Sequence, residues 1–237
     1  LTAKPVEDVM IGIALATGSD GGDPISSNTT LGGDNSDKGI ALDQGYITWD
    51  FADNLRLTAG KTKVKYFKPG KSSLIFDGDL RPEGAHLQYD SQDIFATLGY
   101  NLMDSDDGSS GNGEHMESWG VQAGYKFNLN KNTSGTAGLG YYSIPTKGRE
   151  FVADSSKSYG NTVGSTAGTY KYDYEIQQLF AEVITKISGV KTTLYADFVR
   201  NDDADEDIGY IAGIKAGSVK KRGDLAFGYA YQDLEAD

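Results

Sequence analysis

A two-residue rhythm constrains this chain more than any other feature. Over 118–127, Trp119, Val121, Ala123, Tyr125 and Phe127 fall on one face, and Ser118, Gly120, Gln122, Gly124 and Lys126 on the other. Successive side chains of an extended backbone point to opposite sides, so this spacing defines a strand with one face turned away from water. The rhythm recurs at 9–17, where Val9, Ile11, Ile13 and Leu15 oppose Met10, Gly12, Ala14 and Ala16. It recurs at 190–198, where Val190, Thr192, Leu194, Ala196 and Phe198 oppose Lys191, Thr193, Tyr195 and Asp197. Further strands are predicted at 40–51, 55–60, 85–89, 94–102, around 137–141, and at 173–187, 208–217 and 225–232, about eleven in all. The strand at 40–51 sorts least cleanly, because Asp43 shares parity with Ile47 and Trp49. That irregularity predicts a strand facing a second subunit.

The connections carry a second regularity. Those at 52–54, 90–92, 128–134, 188–189 and 219–222 are short, and the ones between them are long and rich in Gly, Ser, Asn and Asp. Many apolar faces end in Trp, Tyr or Phe. Short turns on one rim, long loops on the other and aromatic girdles between them describe a barrel in an outer membrane. A β-sandwich also alternates, but nothing in it requires every second connection to be long. The predicted fold is therefore all-β, a transmembrane antiparallel up-and-down β-barrel, with residues 1–237 as one domain. An odd number of strands leaves an edge unpaired. The expectation is a barrel of about 12–18 strands, with about sixteen preferred, of which part lies beyond one or both ends of the chain.

Composition narrows the function. A net charge of −12 argues against sequence-independent binding to nucleic acid, which needs a basic surplus. The absence of cysteine excludes disulfides and thiolate metal sites. No apolar run approaches the roughly 18 residues of a membrane helix, but barrel strands expose apolar side chains on one face only, so their overall polarity stays high.

One connection stands out. Residues 61–83 carry Lys61, Lys63, Lys65, Lys68 and Lys71, then Asp77, Asp79, Arg81 and Glu83. So long a connection inside a regular fold is usually functional or disordered. The insert is predicted to fold inward and narrow the channel. Lys61, Lys63, Asp77, Asp79, Arg81 and Glu83 would then line the path with the wall residues Arg56 and His86. Tyr66, Phe67, Leu74, Ile75 and Phe76 would anchor the insert to the wall. The alternative is an exposed loop whose charges are merely solvated.

Other motifs carry less. The run from Pro69 to Ser73, PGKSS, resembles the tail of a phosphate-binding loop, but Lys65 stands where that pattern needs glycine. No G-x-S-x-G elbow occurs, and the two histidines, His86 and His115, have no evident catalytic partners, so no catalytic residue and no cofactor are predicted. Asp202, Asp203, Asp205 and Asp207 offer oxygen ligands of the kind calcium takes, without EF-hand spacing; a solvated acidic loop is the alternative. Asp104, Asp106 and Asp107 are read in the same way. Residues 145–172 form the longest loop, on the extracellular side.

Three stretches carry a resemblance. Ala16-Thr17-Gly18 opens a Gly/Asp/Ser-rich loop, 60–63 reads G-K-x-K, and 77–84 reads D-x-D-L-x-P-E-G at the start of the next strand. Together they resemble a family of Gram-negative outer-membrane porins of the general-diffusion type, over roughly the first two-fifths of the chain. The resemblance implies passive diffusion of small hydrophilic solutes and ions through a water-filled barrel in the outer membrane. It also implies lipopolysaccharide neighbours and a homotrimer. A surface barrel or adhesin, whose long acidic loops bind a partner or divalent cations, is the other reading.

Overall fold

Twelve strands follow one another without a crossover in a computed structural model of the protein, which describes residues 1–17, 39–104, 116–151 and 156–237. In order they are β1 (Thr2–Val6), β2 (Val9–Ala16), β3 (Ala41–Ala52), β4 (Leu55–Lys61), β5 (Glu83–Asp90) and β6 (Ile94–Asp104). The second half comprises β7 (Met116–Asn130), β8 (Thr133–Ile144), β9 (Tyr174–Ile187), β10 (Val190–Asn201), β11 (Ile208–Gly217) and β12 (Ala226–Leu234). Every neighbouring pair is antiparallel. The sheet runs from β1 to β12 in sequence order, so β2 to β11 each pair with their predecessor and successor.

The strand missed from sequence is β1. Its five residues, TAKPV, are too few to display a rhythm, and Pro5 reads as a break. Proline is tolerated there because Pro5 lies in the register shift between Ala3 and Val6, where the ladder is already interrupted. The short β1–β2 turn extends the short-long alternation to the first connection. Strands β7 and β8 are also longer than predicted and shrink the 128–134 connection to Lys131 and Asn132. Asn128, Asn130 and Ser134 continue the ladder past the apolar band, where polar side chains meet water at the rim.

The two faces are sorted the opposite way from a water-soluble protein. Buried positions on the face that carries the 62–82 insert include Thr48, Thr58, Thr97, Ser118, Gln122, Gln178 and Asp197. The other face exposes Ile47, Trp49, Leu98, Trp119, Val121, Tyr125, Leu179, Leu194 and Phe198. Soluble monomers rarely expose a contiguous apolar band of this extent. A wall with grease outside and polar groups inside fits a barrel wall between lipid and water.

Asp43 is not turned toward another subunit. Ala14 pairs with Gln44 and Leu15 with Leu42, so Asp43 is the extra residue of a β-bulge. A bulge resets which side chains face which way. Its carboxylate therefore meets Arg81 at 3.1 Å, with both side chains about nine-tenths buried.

Candidate functional site

The site is built by the connection between β4 and β5. It leaves the wall at Thr62, whose N–H still donates to the Pro82 carbonyl at 3.2 Å, and then crosses the inner face as far as β11. Sequence explains why it can lie flat there. Its apolar residues are placed to meet the wall, and the wall leaves room for them.

Tyr66 enters first. Its hydroxyl donates to the Gly120 carbonyl at 3.1 Å, and its ring stands edge-on to His86 and Tyr142. The slot for it depends on two glycines. A Cβ at Gly99 would fall 2.3 Å from the Tyr66 hydroxyl oxygen, and one at Gly120 would fall 2.7 Å from it. Phe67 packs between Phe95 and Phe180, with ring centroids at 5.6 and 5.4 Å. Further on, Leu74 joins Tyr195, Val199 and Ile211 in another apolar cluster on this face.

Polar contacts then fix the register. Gln122 holds both backbone groups of Phe67: its Oε1 accepts from the Phe67 N–H at 2.7 Å, and its Nε2 donates to the Phe67 carbonyl at 3.0 Å. Its Nε2 also lies 3.0 Å from the Tyr142 hydroxyl and from Gln178 Oε1. Tyr142 donates to Gln178 Oε1 at 2.7 Å, and Gln178 Nε2 donates to Asp197 Oδ1 at 2.8 Å. Ser72 Oγ closes the run by donating to Asp197 Oδ2 at 3.0 Å. Two points of the insert are thereby joined through β7, β8, β9 and β10. Buried networks of this kind are strong when every member is satisfied.

The tip is a turn at Pro69–Lys71. Gly70 has φ 58°, and a Cβ there would lie 2.4 Å from the Tyr195 ring, so both conformation and space require glycine. Its N–H donates to Glu182 Oε2 at 2.7 Å, and its carbonyl accepts from the Lys215 ammonium. The PGK sequence is thus an anchor, with no helix following it to make a phosphate cradle. The returning arm and the wall flank an open pocket of about 340 Å³, lined in part by Leu74, Ile75 and Phe76. Tyr170 and Tyr174, at the end of the 145–172 loop, form part of its opposite side.

The charges predicted to line the path are dispersed. Lys61 and Glu83 pair at 3.2 Å across β4 and β5, at the root of the insert. They share the register of Ala59 and Ala85, which is the outer face, so they belong to the rim. Arg56 lies on the inner face but near the short-turn rim, bound by Asp50 through Nε at 2.6 Å and Nη2 at 3.0 Å. His86 is 1% exposed, beneath Tyr66 and away from the path, because the insert covers the middle of β5. Arg81 is turned into the wall against Asp43. Lys63, Asp77 and Asp79 remain on the exposed side of the insert. The Asp77 carboxylate accepts from the Asp79 N–H at 2.6 Å.

Lys65 and Lys68 matter more than the sequence indicated. The Lys65 ammonium sits 5.2 Å from the centre of the Tyr46 ring, and Lys68 donates to the Phe76 carbonyl. Burial pushes the Lys65 ammonium below the ordinary lysine value, and the charges of Arg56 and Lys63 lower it further. Lys68 is lowered by burial as well, with Asp77 opposing and Lys63 reinforcing the shift.

The four candidate calcium ligands diverge. Asp202 accepts from Gln177, Asp203 from the Asp173 N–H, Asp205 from Tyr172 at 2.6 Å, and Asp207 from Arg200 at 2.7 Å. The Tyr172 hydroxyl and the neighbouring Lys171 hold the Asp205 carboxyl below its usual range. Each carboxylate already has its own partner, and among the described residues no three acids converge on one point. Asp106, Asp107, His115 and most of the loop after Thr17 lie outside the described residues.

Comparison with known proteins agrees with this geometry. A family model described as "Putative porin" matches residues 1–166. No curated protein matches the chain. Among solved structures, the chain is similar to OprB of Pseudomonas putida in its high-pH structure, with a TM-score of 0.59 and 14% sequence identity. The match covers 96% of this chain and 64% of that one, so the chain spans somewhat under two thirds of the length of OprB.

Proposed function

The chain belongs to the family described as "Putative porin", whose place is the outer membrane of Gram-negative bacteria, and on that premise we propose a channel for passive diffusion of small hydrophilic solutes and ions, narrowed by residues 62–82. The observation that carries this reading is the docking of the insert across the polar face of the sheet. A loop held by hydrogen bonds from β7, β9, β10 and β11 cannot swing freely, and so its bulk sets a fixed width. Hydrogen-bonding groups and charges at a narrow aqueous path rank solutes by size and charge.

The chemistry of the site supports transport and not catalysis. Gln122, Tyr142, Gln178 and Asp197 bond to one another and to Phe67 and Ser72 of the insert, an arrangement that positions the loop. We take the protein to act without a cofactor. A homotrimer among lipopolysaccharide is the assembly that the porin resemblance suggests.

Reconstitution into planar bilayers tests the reading. Purified, refolded protein is expected to insert in discrete steps of equal ohmic conductance that grow with salt concentration. Protein that migrates as a folded, heat-modifiable species in detergent yet produces no steps would overturn the channel.

A further inference from the structure

Between Lys61 and Glu83 the insert carries six basic and three acidic side chains, although the whole chain has a net charge of −12. Ion pairing removes opposite charges unequally. Glu83 is taken by Lys61 at the rim, and Arg81 is held by Asp43 with Asp79 at 3.8 Å. Within the insert, Lys63, Lys65, Lys68 and Lys71 then outnumber Asp77, and the wall carboxylates Glu182 and Asp197 meet the insert only at its tip, at Gly70 and Ser72. Lys63 and Lys65 have no carboxylate partner among the described residues, and Lys65 lies over Tyr46 on the inner side of β3, with Arg56 in electrostatic reach. The large negative surplus must lie elsewhere. Part of it lies at the long-loop rim, in Asp202, Asp203, Asp205, Glu206 and Asp207.

We infer that the narrowest part of the path is basic, through Lys65 on the β3 side of the insert and the exposed Lys63 beside it in sequence, and that the channel prefers small anions such as chloride and carboxylate- or phosphate-bearing solutes. The inference rests on the constriction reading above and adds a sign to it. Charges at a wide mouth act over about 10 Å at 0.1 M salt and are screened beyond that distance. Charges beside a narrow path act on every ion that passes. A single uncompensated charge about 6 Å from an ion, at the dielectric of water, shifts its relative occupancy by about threefold. The acidic rim would gather cations near the mouth without deciding which ion crosses.

The test is the zero-current potential across a planar bilayer with a tenfold gradient of potassium chloride. The expected result is a chloride-to-potassium permeability ratio of about 3 or more for the unaltered protein. Lys63→Gln and Lys65→Gln, made singly and together, are expected to lower that ratio toward one, each by up to about tenfold, because one charge favours chloride and disfavours potassium by about threefold apiece. Lys131→Gln, in the short turn between β7 and β8, should leave it unchanged. A conducting channel that favours potassium would overturn the inference and leave the porin reading standing. A chloride preference untouched by both lysine changes would overturn the assignment to this cluster. Absence of conductance strikes instead at the channel itself.

Discussion

Removing residues 64–80 and joining Lys63 to Arg81 through two glycines is expected to raise single-channel conductance severalfold and to abolish size discrimination among neutral sugars. The short connection is sterically reasonable, because Thr62 and Pro82 already continue the β4–β5 ladder. The Asp43–Arg81 pair stays in place. What is lost is the whole arm lying over β5 to β11, from Tyr66 at His86 to Gly70 at Lys215. The wall beneath is composed of strands that pair with one another independently of the insert, so it should persist without it. Conductance measured against graded polyethylene glycols would check both effects. An unchanged conductance would mean that the insert does not occupy the water path.

The second large effect is expected at Gln122. Gln122→Leu keeps the volume and removes the only side chain that holds both backbone groups of Phe67. Each buried polar group left without a partner costs about 1–3 kcal/mol, so docking of the insert should weaken by about 2–6 kcal/mol. The Tyr142–Gln178–Asp197 run also loses its first member. The strands keep their ladders, and the loss should fall on the insert and leave barrel formation intact. The expected signature is rapid flicker between conductance levels, together with new proteolytic cleavage within 63–80, while heat-modifiable migration is retained. Quiet channels with a protected insert would show that aromatic packing at Tyr66 and Phe67 suffices without Gln122.

How much of this was legible beforehand depended on the range of the interactions. The strands were, because the signal for a half-wet strand is local: Trp119 and Val121 against Ser118 and Gln122 lie within five residues. The sorting of faces followed directly from it. The β1 strand was not legible, since five residues containing proline hold no rhythm. The bulge at Asp43 did show itself as a break in parity, but the sequence alone could not tell a bulge from a change of partner.

The insert was recognisable by its length and charge, and its anchors were only half visible. Gln122, Glu182, Asp197 and Lys215 belonged to the polar, inward set on their strands. Nothing local indicated that they would bind Phe67, Gly70 and Ser72, which lie 55 to 145 residues away. For the same reason the sequence did not show how the residues named for the pore would be dispersed. Lys61 and Glu83 fall on the outer register, His86 is covered by Tyr66, and Arg81 is spent on a bulge that pairing alone revealed. Lys65, passed over among five lysines, is the one seated against Tyr46 on the inner wall.

The apolar face of this sheet meets acyl chains while its polar face meets water. The chain has two tryptophans, Trp49 and Trp119, and both stand on that apolar face, about half exposed. Their fluorescence in proteoliposomes is therefore a direct reporter, with Trp49→Phe and Trp119→Phe separating the two signals. Strong quenching by lipids brominated on the acyl chain, with little quenching by aqueous iodide on either side, is the result expected here. Emission that iodide quenches and brominated lipid does not, from either tryptophan, would place that face in water and contradict the account.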